Sequence, residues 1–253
     1  MRRLCLIVAA VLGPQVNAHA QARWTVDPKS SLAWWQMNPH MNHLWATTCP
    51  QEPSWRPGDE RSAAFFMSNL LRAPTTADSV NVPLYPRYLA RDVCTSDAVR
   101  GDVTARDTLT WRGVRGEIVV RADRLVSGQS QRDKYASEGV LESRQYPEIR
   151  FAIDSLTNVA RQADTLTGSV TGVFALHGSS RPVVAAVRIW PEAGGLRVQA
   201  KFRMPVEDLV REYGLSSHAL GLGVGLRVWL HLYMGVDLLL RPQPTVGRSQ
   251  EGN

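Results

Sequence analysis

His40 and His43 stand three residues apart with Cys49 close behind, and imidazole and thiolate groups at that spacing are zinc or copper ligands. No second His/Cys pair follows nearby, and Cys94 offers Cys49 a disulfide instead, so neither a metal site nor a cofactor is expected. Arg132-Asp133 sets a guanidinium, which can grip a phosphate with paired hydrogen bonds, beside a carboxylate that can pair with it or cap a helix. His177 and His218 are solitary and read as hydrogen-bonded structural residues. There is no Gly-x-Ser-x-Gly elbow and no paired-carboxylate motif, so an enzyme is not expected.

Around these groups lie 253 residues, 44% hydrophobic and 21% charged, enough for one large globular domain. The net charge of +6 comes almost wholly from arginine, with lysine only at Lys29, Lys134 and Lys201. The basic residues are scattered and do not alternate with aromatics, which argues against a nucleic-acid partner. They suit a solvated surface, or attraction to an anionic lipid or phosphate head group.

The first residues look like a signal peptide. Arg2 and Arg3 precede the apolar run Leu4 to Leu12, too short to span a bilayer, and Ala18-His19-Ala20 and Ala20-Gln21-Ala22 fit a cleavage site. Residues 1–22 are therefore assigned to export, to a periplasm or the extracellular space. In an exported chain Cys49 and Cys94 most often pair. The bridge would close a loop of about 45 residues and stabilise by roughly 3–4 kcal/mol.

Strand signals dominate the rest. Trp24 to Met37 reads as the opening strand, with Asp27-Pro28 marking a turn just before the β-favouring Ser31-Leu32-Ala33-Trp34-Trp35. Residues 38–95, with prolines at 39, 50, 53, 57, 74, 83 and 86, read as an irregular insertion tied by the disulfide. Val99-Arg100-Gly101-Asp102-Val103 is echoed by Val114-Arg115-Gly116-Glu117-Ile118, as in adjacent strands. Further strands fit 118–124, 149–155, 166–176, 183–190, 196–204 and 226–238, with short helices at 131–142 and 206–213. In 196–204, Leu196, Val198, Ala200, Phe202 and Met204 share one face, and Arg197, Gln199, Lys201 and Arg203 the other, so the strand is apolar on one side and wet on the other. Several such strands avoid bare edges by closing into an antiparallel barrel of about eight strands, wide enough to be plugged by side chains or to hold a slim ligand. The domain is placed at residues 23–242, with 243–253 as a flexible tail.

Gly128-Gln129-Ser130-Gln131-Arg132-Asp133 followed by Tyr146-Pro147-Glu148-Ile149-Arg150-Phe151 resembles the YceI-like family. So does Leu176-His177-Gly178 before Arg181-Pro182-Val183 and, more weakly, the opening Trp24-Thr25-Val26-Asp27-Pro28 with Ser30-Ser31-Leu32. The resemblance implies an all-β, lipocalin-like extended barrel. Some members of the family hold a polyisoprenoid in the lumen, and no catalytic residues are implied. The insertion and the glycine-rich Gly221-Leu222-Gly223-Val224-Gly225 depart from the family pattern.

With this implication the apolar strand faces become candidate ligand-binding walls: Leu32, Trp34, Ile118, Val120, Phe151, Ile153, Phe174, Leu176, Val183, Val187, Phe202, Met204, Val228, Leu230 and Leu232, with Arg132 as head-group candidate. The expected role is carriage or sequestration of a polyisoprenoid or similar lipid, with transient membrane-surface contact and a homodimer both allowed. The rival is a filled barrel that presents the insertion to a protein partner. In the last strand Arg227, Trp229, His231 and Tyr233 make an outer face too aromatic to be fully wet, so the insertion is expected to pack there or to cap the barrel.

Overall fold

The computed structural model describes residues 21–39, 44–49, 97–108, 110–127, 130–216 and 229–244. Among them are ten strands: β1 (Ala22–Val26), β2 (Leu32–Pro39), β3 (Leu44–Thr47), β4 (Val99–Ala105), β5 (Arg115–Arg121), β6 (Glu148–Gln162), β7 (Thr165–Leu176), β8 (Ser179–Glu192), β9 (Gly195–Pro205) and β10 (Trp229–Pro242). The sheet runs β1-β4-β5-β6-β7-β8-β9-β10, and β1 pairs back onto β10, closing an antiparallel barrel of eight strands. The expected eight-stranded barrel is therefore present. The other end of β10 continues to β2 and β3. At Thr47, β3 meets Val126 through two backbone hydrogen bonds of 3.0 Å.

Tight turns set the strand pairing. Ala163, His177-Gly178 and Gly194 all have positive φ at hairpin tips, which brings right-twisted strands into register. These turns divide between two ends. The β4–β5 loop and the tips at 163 and 194 form the lower end. The tip at 177–178 lies at the upper end, with α1 (Ser130–Tyr135), the π turn Ala136–Val140 that continues it, and α2 (Val206–Tyr213).

The turn marked at Asp27-Pro28 divides the opening segment into two strands with exchanged faces, and that exchange is the main correction to the sequence expectation. A 3-10 turn at Pro28–Ser30, capped by Asp27 through the Lys29 N–H, separates β1 from β2. Trp24 and Val26 of β1 join the core, and then Ala33 does, packed beside Val236, its partner on β10. The turn thus switches the inward set from even to odd positions. In a strand such a one-residue shift exchanges the two faces.

The β4–β5 echo is an adjacent pair, with Val103 opposite Gly116. The insertion assigned to 38–95 contains β3, which pairs with β2. Residues 50–96, Cys94 among them, lie outside the described residues, and so does the expected Cys49–Cys94 bridge. Cys49 is fully buried, and its N–H donates to Thr47 Oγ1.

Two apolar clusters fill the ends of the barrel. The lower one includes Trp24, Trp111, Leu166, Ile189 and Leu240. The upper one gathers Phe174, Leu176, Met204, Leu209, Tyr213, Leu215 and Leu232 beneath α2. A buried ion network sits on the outer face. Arg197, 2% exposed, donates to the Ser30 carbonyl, to Asp237 at 3.2 Å and to Glu192 at 3.0 Å, and Gln199 donates to Asp237 at 2.9 Å. Burial works against the Arg197 charge, yet the hydrogen bond to Glu192 and the fields of Asp237 and Glu192 outweigh it and raise its pKa.

Candidate functional site

Between the clusters the barrel is hollow. A cavity of about 400 Å³ runs from Trp111 and Val114 at the lower end to Tyr135, Val140 and Leu141 at the upper. All eight barrel strands but β1 contribute to its wall. Small residues keep it open. At Gly172 an added Cβ would come within 2.8 Å of the Phe151 ring, so the missing side chain makes room for that ring against the wall. Ala33, Ala185 and Ala200 line other strands where larger side chains would meet in the middle.

The wall is apolar in its chemistry. Arg150 belongs to it only through its backbone side, because its guanidinium turns outward to Glu117 at 3.0 Å and to Glu148. Those two carboxylates, Glu117 first, raise its pKa. No carboxylate, imidazole, thiol or aliphatic hydroxyl stands among the described lining residues. Such a wall offers burial and dispersion, with nothing placed for proton transfer.

The upper end is built as a lid. Asp133 of α1 accepts from the Ser127 N–H and hydroxyl at 2.7 and 2.6 Å, which ties down the start of the segment. A Ser137–Ser143 hydroxyl pair at 2.6 Å closes its far side. Between these ties, Tyr135, Ala136, Val140 and Leu141 face the cavity. Tyr135 is nonetheless 51% exposed, so the lumen reaches solvent beside it.

Opposite the lid, α2 ends at Gly214 in the left-handed region. The Gly214 N–H bonds to the Val210 carbonyl, the closure of an αL cap, and the Leu215 N–H reaches back to the Leu209 carbonyl, both at 3.1 Å, which folds Leu215 back onto the cavity. His177 joins the parts. Its Nδ1 donates to the Tyr213 carbonyl at 3.1 Å, its Nε2 faces Glu142 at 3.4 Å, and its ring packs on Tyr146 at 4.2 Å. It thus fills the structural role expected of it. The Tyr213 hydroxyl is buried without a hydrogen-bond partner, and burial pushes its pKa up to about 12.

Residues 89–234 match the YceI-like domain, well over half of the chain. The chain belongs to the YceI-like family. Among solved structures it resembles BcnA of Burkholderia cenocepacia at 8% identity and a TM-score of 0.55, over 84% of this chain and 98% of that one. A polyisoprenoid binding domain from Saccharophagus degradans aligns at 11% identity and a TM-score of 0.49, over 88% and 99% of the two chains. The YceI protein of Campylobacter jejuni aligns at 10% and 0.46, over 68% and 98%. The likeness to BcnA shows the shared fold. No curated protein matches the chain.

In this YceI-like barrel Trp34, Ile118, Val120, Phe151, Ile153, Phe174, Leu176, Val187, Phe202 and Leu232, expected on the wall, do line the cavity. Leu32 does not. It is buried at 1% exposure opposite Asp237, on the side of β2 turned away from the lumen, because of the switch at Pro28–Ser30. Trp34 shares that side, and its indole reaches the wall only by crossing Gly235. Val183 and Met204 pack in the upper cluster and not on the cavity. Val228, and the side chains of Leu230 and Arg132, lie outside the described residues, as do His40, His43 and His218. Among the described residues no group of three or more metal-ligating side chains occurs, and no helix is long and apolar enough to cross a membrane.

The lid residues, Leu209, Leu215 and Trp111 were not anticipated. The lid residues, Leu209 and Leu215 sit on or just beyond helical turns, whose apolar positions carry no label of what they cover. Trp111 sits in a loop, where period-two alternation says nothing.

Proposed function

We propose that this protein binds a long apolar chain, an isoprenoid or similar lipid tail, inside the barrel, with its polar head held at the mouth beside Tyr135. The observation that carries the reading is the cavity itself: about 400 Å³, continuous between two packed ends, apolar throughout and reaching solvent at one side chain. That volume lies within the range of small-molecule sites, roughly 300–1,000 Å³. Each buried methylene contributes roughly 0.8 kcal/mol, so a tail binds firmly with few polar contacts. The role is binding and not catalysis, in an exported carrier or sequestering protein, with Arg132 on α1 as the contact for an anionic head and Cys49 bridged to Cys94.

The test is native mass spectrometry, with solvent extraction, of the protein purified from its own host. The expected result is a stoichiometric apolar molecule that leaves on organic extraction. A protein that is empty as isolated and takes up no prenyl alcohol or fatty acid in vitro would refute the reading. Blocking with a thiol reagent before and after reduction tests the bridge: free thiols without reductant would rule it out.

A further inference from the structure

The lower end of the cavity is closed by one side chain held in an unfavourable backbone conformation. Trp111 lies in the β4–β5 loop with φ of 55°, a region costly for a bulky side chain and worth a functional question where it occurs. Its indole is nevertheless 6% exposed and forms part of the cavity wall. Trp24 of β1 backs it in a stack with ring centroids 5.5 Å apart and planes 19° from parallel. The loop is pinned on both sides. The Arg106 and Asp107 N–H groups donate to the Arg112 carbonyl at 3.0 and 3.3 Å, and Asp107 accepts from the Thr110 N–H and hydroxyl. A glycine would adopt this φ without strain, yet the position carries the largest side chain there is, aimed into the lumen.

Resting on the lipid-tail reading above, we propose that Trp111 is the stop that sets the length of chain the barrel accepts, and that the tail it selects is of about three to four isoprene units. Two independent measures of the cavity lead there. The lining of β10 extends from Leu232 to Leu240, about 27 Å along the strand and roughly 20 Å along a barrel axis to which strands tilt by about 40°. An extended chain advances about 1.2 Å per bond, so it crosses that distance in about sixteen bonds. By volume, about 400 Å³ at roughly 30 Å³ per atom of water size holds about thirteen. The length matches the main chain of a geranylgeranyl tail and the volume falls a little short of a whole farnesyl tail, which brackets the class. Both also leave a carrier several times longer with most of its chain outside the mouth, in water.

Trp111→Gly removes the whole side chain, Cβ and indole together, while releasing the strained φ, so the lumen deepens without an added backbone penalty. Trp111→Leu keeps part of the plug and serves if the glycine variant loosens the loop; near-UV circular dichroism reports the fold of both. The assay is equilibrium displacement of a fluorescent apolar probe by geraniol, farnesol, geranylgeraniol and solanesol. For the wild type, affinity rises up to farnesol or geranylgeraniol and gains less than twofold for solanesol. In Trp111→Gly the gain continues past geranylgeraniol, at least tenfold towards solanesol, with an intermediate shift in Trp111→Leu. A chain-length profile identical in the wild type and a folded variant would overturn the stop while leaving the lipid reading intact. Failure of the wild type to bind any of the four would overturn both.

Discussion

Filling the lumen from the side should remove binding without unfolding the barrel. Ala200 sits on β9 between Val187 and Val236 and lines the cavity from mid-wall. Ala200→Phe adds six carbons there, roughly 180 Å³ at about 30 Å³ each, close to half of the cavity of about 400 Å³. A tail that filled the lumen loses about six buried methylenes, worth roughly 5 kcal/mol at about 0.8 kcal/mol each. At about 1.4 kcal/mol per factor of ten, affinity falls on the order of a thousandfold. The fold responds in the opposite sense. Burying the ring in an empty lumen contributes about 1.5–3 kcal/mol, against about 1–3 kcal/mol for imperfect packing, so the apo protein keeps or raises its melting temperature. Calorimetric titration with geranylgeraniol, paired with thermal unfolding of the apo forms, reads both. A folded Ala200→Phe protein that binds within tenfold of the wild type would show that the ligand sits elsewhere.

Three further changes probe the scaffold. Gly235→Ala places a Cβ 2.5 Å from the Trp34 ring and 2.7 Å from the Ala200 carbonyl; urea unfolding should show a loss of about 1–3 kcal/mol, and an unchanged midpoint would contradict the close approach. Arg197→Leu takes the buried countercharge from Asp237 and should cost about 3–5 kcal/mol, most of it recovered when Asp237→Leu is added. Tyr213 has its pKa raised by burial from 10.0 to about 12. The unfolded chain therefore loses this proton first, and the stability associated with the neutral phenol, full below pH 10, is lost as pH rises from 10 towards 12. Tyr213→Phe should remove that part of the alkaline decline, and, because the hydroxyl has no hydrogen-bond partner, should leave neutral-pH stability unchanged or slightly higher. Equal alkaline slopes in the two proteins would refute this.

The alternation of apolar and charged residues in 196–204 was enough to place Val198, Ala200 and Phe202 on the inside of a barrel, because period two is a local property that a strand cannot escape. It failed where the backbone breaks the period. Asp27-Pro28 was legible as a turn, but not that a 3-10 turn would reset the parity of β2; that depends on where β10 offers partners, with Thr25 opposite Arg241 before the break and Ala33 opposite Val236 after it. The hollow was less legible still. Whether an apolar face interlocks or leaves a gap depends on which small residue lies opposite which large one across several strands. Gly172, Ala185 and Ala200 are ordinary in sequence, and only the register β6–β7–β8–β9 shows that they hold the wall back, with the Phe151 ring close against the first of them. Trp111 inverts that logic: one large residue, outside any strand, closes what the small ones open. A barrel of this kind can therefore change the length of its ligand by substitution in a single loop while its strands stay as they are.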